Sequence, residues 1–223
     1  MDPLEHTLMI PVPDAGEIEG DLRLPGNAPG LVVFAHGSGS SRHSPRNRMV
    51  ATRLNEAGFG TLLVDLLTSE EEAVDVRTAH LRFDIGLLAD RLLAAGDAVA
   101  AEAGGRDLPL GYFGASTGAA AALVAAAERP EPVRAIVSRG GRPDLAGDAL
   151  PRVQAPTLLI LGSLDEAVID MNRRAARRMR CEHELSIVPG ATHLLEEPGA
   201  LEEVARRAID WFTRHLRARD RLS

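Results

Sequence analysis

The sequence predicts an α/β domain: a twisted, mostly parallel sheet with helices on both faces, entered through an antiparallel pair of strands. Three observations carry this. Short apolar runs such as Leu31–Ala35 and Thr157–Leu161 alternate with amphipathic stretches of helical period, the pattern of strands covered on both sides and joined by helices. The 223 residues suffice for one core and leave little room for a second, so residues 1–223 read as a single domain. Finally, Leu108–Leu123 reads as a buried strand running through Gly114-Ala115-Ser116-Thr117-Gly118 into an Ala-rich helix.

Thr7–Val12 and Ile18–Leu24 form the opening pair, joined by the turn-forming Pro13-Asp14-Ala15-Gly16. In the second run Ile18, Gly20, Leu22 and Leu24 alternate with Glu19, Asp21 and Arg23, as a half-exposed strand requires. Leu31–Ala35 is continuously apolar and ends at His36-Gly37-Ser38-Gly39-Ser40. A helix from Pro45 to Ala57 is stopped by Gly58, and Gly60–Asp65 is the next buried strand. The acidic run Glu70-Glu71-Glu72 reads as loop. Leu81, Ile85, Leu88, Leu92, Ala95 and Val99, spaced by four and three in alternation, mark one face of a long helix. After Leu108–Leu123 come a strand Val133–Ser138, a short connection with room for one helix, and a strand Thr157–Leu161. A helix Ala167–Arg180, a strand Glu184–Val188 and a terminal helix Gly199–Leu216 complete the pattern.

Composition removes several functions. A formal net charge of −7 lacks the concentrated basic face of a nucleic-acid binder, and the arginines from Arg173 to Arg180 read as a solvated helix face. All 25 Lys and Arg positions are arginine; without lysine there is no Schiff-base chemistry, no P-loop and no Ser-Lys dyad. Cys181 stands alone, which rules out a disulfide within the chain, a cysteine-built metal site and a redox pair. The first residues show neither a basic region nor an apolar run, and no segment is long and apolar enough to span a bilayer. The expectation is a cytoplasmic protein with no membrane or nucleic-acid partner, its oligomeric state left open, a homodimer being one option.

Gly114-Ala115-Ser116-Thr117-Gly118 has the context of a nucleophile elbow, although the five letters alone also fit an ordinary strand-to-helix turn. Ser116 at its tip needs neighbours without bulk two residues before and after, which Gly114 and Gly118 provide. A serine attacks only when a base takes its proton and an acid fixes that base. Asp165 follows the strand Thr157–Leu161 and His193 follows Glu184–Val188, in the chain order Ser, Asp, His. An aspartate at 165 also suits a helix cap, in which case Glu166 or Asp170 would supply the carboxylate. Two backbone N–H groups must meet the developing oxyanion: that of Thr117, next to the nucleophile, and that of Ser38 in the loop after Leu31–Ala35. His36 reads as a structural residue beneath that loop. Arg42, Arg46, Arg48, Arg139 and Arg142 gather on the same predicted rim. Arg42 and Arg139 are candidates to hold a substrate carboxylate; pairing with Asp65, Asp144 or the acidic loop is the competing role.

Phe34-Ala35-His36-Gly37-Ser38-Gly39, the elbow Gly114–Gly118, Leu161-Gly162-Ser163-Leu164-Asp165 and Gly190-Ala191-Thr192-His193 together resemble the α/β-hydrolase superfamily. Chain length and the absence of a lid insertion between Arg139 and Pro156 are similar to its dienelactone hydrolase-like branch, over roughly residues 18 to 215. The resemblance implies an α/β-hydrolase fold, Ser116 as nucleophile, Asp165 as acid, His193 as base and Ser38 and Thr117 as oxyanion donors. Dienelactone hydrolase itself carries cysteine at the elbow where this chain has serine, so the implied activity is hydrolysis of small esters or lactones without cofactor or metal. Acyl transfer or perhydrolysis by the same triad, and a non-catalytic module such as those appended to phosphoribosyltransferase domains, are the alternatives.

Overall fold

All eight strands read from the sequence are present and belong to one sheet. The structure, a computed structural model, describes residues 4–13, 15–104 and 108–216; Asp14 of the predicted opening turn lies outside them. The strands are β1 (Leu4–Val12), β2 (Gly16–Leu24), β3 (Leu31–Ala35), β4 (Gly60–Val64), β5 (Leu110–Ala115), β6 (Val133–Arg139), β7 (Thr157–Gly162) and β8 (His183–Val188). Their order is β1-β2-β4-β3-β5-β6-β7-β8. β1 and β2 pair antiparallel, β2 meets β4 antiparallel, and β4 to β8 run parallel.

The helices are α1 (Pro45–Glu56), α2 (Ser69–Thr78), α3 (Ile85–Glu102), α4 (Thr117–Glu128), α5 (Glu166–Ala176) and α6 (Ala200–His215). Alternate residues of β3 feed two cores: Leu31, Val33 and Ala35 pack with Leu88, Leu92 and Val99 of α3 and the alanines of α4. Val32 and Phe34 pack with Val50 and Leu54 of α1 and Trp211 and Phe212 of α6. Burial on both faces explains why the central strands read as unbroken apolar runs rather than alternating ones. No domain is inserted between β6 and β7; a 3-10 segment, Pro143–Arg152, spans that connection.

The acidic run corrects the sequence reading, for Glu70–Glu72 open α2 rather than lie in a loop. Thr68 Oγ1 accepts the Glu71 N–H at 3.2 Å while the Glu71 carboxylate accepts the Thr68 N–H at 2.8 Å, a reciprocal cap. Three carboxylates in a first turn also suit the positive end of the helix dipole. The helix after β7 ends at Ala176, short of the expected Arg180.

Two features fix the sheet edge from which the functional loops rise. A Cβ at Gly114 would stand 2.4 Å from Ala119 Cα, and one at Gly118 2.3 Å from the Ala35 carbonyl oxygen, so both glycines let α4 press against β5 and β3. His36, buried beneath the loop that follows β3, accepts the Leu66 N–H at Nε2 (3.1 Å) and donates from Nδ1 to the Gly37 carbonyl (2.9 Å). A backbone N–H can only donate, which makes Nε2 the unprotonated nitrogen and the ring neutral. Burial pushes its pKa below the usual 6.5.

Gly114→Ala is expected to lower stability by about 1–3 kcal/mol, since backbone and not a flexible side chain must give way; a reduced urea midpoint with unchanged slope would show it. The His36 shift carries a pH dependence. The unfolded chain takes up a proton near pH 6.5 while the folded ring stays neutral, so stability falls as pH drops below that value and levels off at the lowered folded pKa. Between about pH 7.5 and pH 5.5, wild type should lose more stability than His36→Gln, by up to about 1.4 kcal/mol per pH unit. Parallel curves in urea titrations would contradict this.

Candidate active site

Ser116 stands between β5 and α4 with φ 51° and ψ −120°, a conformation that residues with side chains rarely adopt. The neighbours hold it there. Its N–H donates to the Arg139 carbonyl at 3.3 Å, and its own carbonyl accepts from Ala119 N–H (3.2 Å) and Arg142 N–H (3.0 Å). Gly37 lies so close that a Cβ there would be 3.1 Å from Ser116 Cβ. α4 begins at the next residue, so Thr117 N–H has no acceptor within its own helix and points from a positive dipole end.

Asp165 occupies the position before α5, yet its side chain makes no helix-capping bond. Its Oδ2 lies 2.7 Å from His193 Nδ1 instead, which leaves Nε2 as the nitrogen open to a proton. Two loops bring the pair together. Gly162, at the end of β7, packs so tightly on the loop after β8 that a Cβ would lie 2.3 Å from the Ala191 and Thr192 carbonyl oxygens. Leu164 N–H donates to Ala191 O at 2.9 Å, Gly190 N–H to Ser163 Oγ at 2.8 Å, and Thr192 N–H to the Glu197 carboxylate at 2.9 Å.

Ser116 and His193 line one cavity of about 210 Å3, walled further by Gly37, Ser38, Ser44, Asn47 and Arg139. Among the described residues no hydrogen bond joins the Ser116 hydroxyl to His193; such bonds commonly tighten only when substrate is bound. Ser38 N–H donates to Thr117 Oγ1 at 3.0 Å. The loop is thereby tied to the elbow, and the expected second oxyanion donor is engaged by a side chain.

The arginines separate. Arg42 is held by Glu19, Asp21 and Asp65, with its N–H on Asp65 at 2.7 Å. It braces β2 against β4 and does not line the cavity, so the competing role applies to it. Arg142 pairs with Asp144 at 2.8 Å. Arg139 is 6% exposed and lines the cavity. Its Nη1 donates to the Leu194 carbonyl at 3.0 Å, its Nε has no partner, and no carboxylate pairs with it among the described residues. Burial, with Arg46 nearby, pushes its pKa down to about 10; Arg46 itself pairs with Glu196.

Asn47 is the cavity residue that sequence reasoning missed. It is 2% exposed with Oδ1 unpartnered, at the third position of α1 behind the capping Ser44. No local sequence pattern marks it, since its burial follows from how α1 docks beside the loop after β3.

The chain is similar along nearly its whole length to known proteins. A dienelactone hydrolase crystal structure from Anabaena variabilis is 57% identical and superposes with a TM-score of 0.93, covering 97% of this chain and 100% of that one. A cold-adapted esterase from an Arctic intertidal metagenomic library shares the fold at 18% identity and a TM-score of 0.77, over 97% of this chain and 96% of that one. Two Mycobacterium tuberculosis proteins that carry a provisional phosphoribosyl transferase name are 58% identical over 206 residues, which are 92% of this chain and 45% of theirs. This chain therefore spans less than half the length of those relatives. The model of the dienelactone hydrolase family matches residues 18–217, and with the α/β-hydrolase fold described above the chain belongs to that family of hydrolases.

Proposed function

We propose that the protein hydrolyses small carboxylic esters or lactones through an acyl-enzyme on Ser116. The reading rests above all on one observation: a serine in a strained elbow shares a cavity with a histidine whose Nδ1 is bonded to a carboxylate. His193 Nε2 takes the hydroxyl proton as Ser116 Oγ attacks the carbonyl carbon. The imidazolium is stabilised by Asp165, and the oxyanion is met by Thr117 N–H together with Ser38 N–H once the latter turns from Thr117 Oγ1. His193 returns the proton to the departing alcohol. Water, deprotonated by the same nitrogen, then releases the acid and restores the serine.

Arg139 adds a preference for anionic substrates. A guanidinium buried without a carboxylate bonded to it costs free energy, and a carboxylate on the substrate would offset that cost at the cavity wall. The phosphoribosyl transferase name of the longer relatives describes proteins of which this chain matches 45%, and that activity is not carried over.

A fluorophosphonate probe should label wild type and leave Ser116→Ala unlabelled; folded wild type that resists labelling would favour a non-catalytic module. His193→Ala is expected to lower kcat on a p-nitrophenyl ester by about 10³-fold or more. Arg139→Gln keeps a donor for Leu194 and removes the charge. It should cut kcat/KM at least about tenfold more for an anionic ester than for its neutral counterpart, and an equal loss on both would end the carboxylate role.

A further inference from the structure

At the end of the sheet opposite Ser116, a second cavity of about 160 Å3 lies between α3, the start of β5 and the residues that follow α4. Its walls mix apolar side chains, chiefly Leu93, Val99, Leu108 and Leu110, with the polar Asp97, Tyr112 and Arg129. Two further lining residues are not what packing alone selects.

Tyr112 is 1% exposed and lines this cavity, and its hydroxyl makes no hydrogen bond to a described residue. Burial pushes the phenol pKa up, so the group is an O–H donor at any physiological pH. A phenylalanine would fill the same place without setting a hydroxyl in the cavity wall. Gly96 faces that hydroxyl from the interior of α3. Its φ is not in the left-handed region that calls for glycine, and glycine inside a helix is less stable than alanine. A Cβ at this position would stand 3.3 Å from Leu110 Cδ1 and 3.9 Å from Tyr112 Oη. The missing side chain is therefore what keeps the space above the hydroxyl open.

We infer that this cavity binds a neutral, single-ring molecule whose one hydrogen-bond acceptor takes the Tyr112 O–H. The size fits, since an apolar cavity of about 150 Å3 accommodates benzene. Neutrality follows from the mouth, where Arg129 is already paired with Asp97 and offers no uncompensated charge. Tyr112 precedes Ser116 by four residues on one extended strand, roughly 13 Å, so a molecule of this size seated here does not reach Ser116. The site stands whether or not Ser116 is catalytic.

Titration with benzyl alcohol, followed by backbone amide shifts, is expected to saturate with the largest changes at Leu93, Val99 and Leu110. Tyr112→Phe should weaken benzyl alcohol at least about fivefold and change toluene, which has no acceptor, less than about twofold. Gly96→Leu should abolish saturable binding of both probes, and Gly96→Ala, the milder change, should weaken both. Shifts that fail to saturate, or that centre on the Ser116 cavity, would overturn the inference. So would affinities unchanged in Tyr112→Phe and in both Gly96 variants.

Discussion

The structure turns on the backbone of Ser116. Holding a non-glycine residue at φ 51° and ψ −120° costs on the order of 1–3 kcal/mol, and the conformation persists only because its surroundings leave no other. Gly114 and Gly118 bring α4 within contact of β5 and of the β3 carbonyls. The Ser116 carbonyl accepts two N–H groups from beyond its own strand, and its N–H is taken by Arg139 at the end of β6. Relaxing the serine would mean separating three strands and a helix that share the two main cores. The strain is offset by packing that exists for other reasons, which is why it costs so little elsewhere in the fold.

Parallel topology does the rest of the gathering. With β3 to β8 running the same way, every loop that leaves a strand's C-terminal end leaves at one edge of the sheet. Residues 116, 165 and 193, each just past such an end, converge without any special tether. What the topology does not supply is angular precision. That comes from the contact of Gly162 with Ala191 and Thr192 and from the hydrogen bonds between the two loops. Asp165 is freed from capping α5 and spends its carboxylate on His193.

Most of this frame was legible in the sequence because buried parallel strands have a plain signature, an apolar run closed by glycine or a polar turn. Where reading failed, the cause was a local pattern outweighed by a coarser one. Glu70–Glu72 suggested a solvated loop, although Thr68 and Glu71 already had the spacing of a reciprocal cap. Arg42 and Arg139 looked alike, two arginines after strand ends. Their partners differ because β2, from a different part of the chain, supplies Glu19 and Asp21 to the first, whereas among the described residues no carboxylate pairs with the second. The bond from Ser38 N–H to Thr117 Oγ1 and the burial of Asn47 depend on how α1 and the loop after β3 dock on α4, which no local pattern encodes.

The electrostatics of the cavity suit the anion that the proposed reaction would form. Arg139 and Arg46 share the cavity with Ser116 and His193, and α4 points its positive end at the same place. In the proposed reaction all three favour the oxyanion that forms as Ser116 attacks. The Asp165 carboxylate, 2.7 Å from His193 Nδ1, is the acidic group bonded to the histidine of that cavity. Glu196 pairs with Arg46 and lies near enough to Arg139 to act on its charge as well. The Arg139 side chain bonds the Leu194 carbonyl, a contact a neutral amide could make as well, so in the proposed reaction its charge is left for a substrate anion.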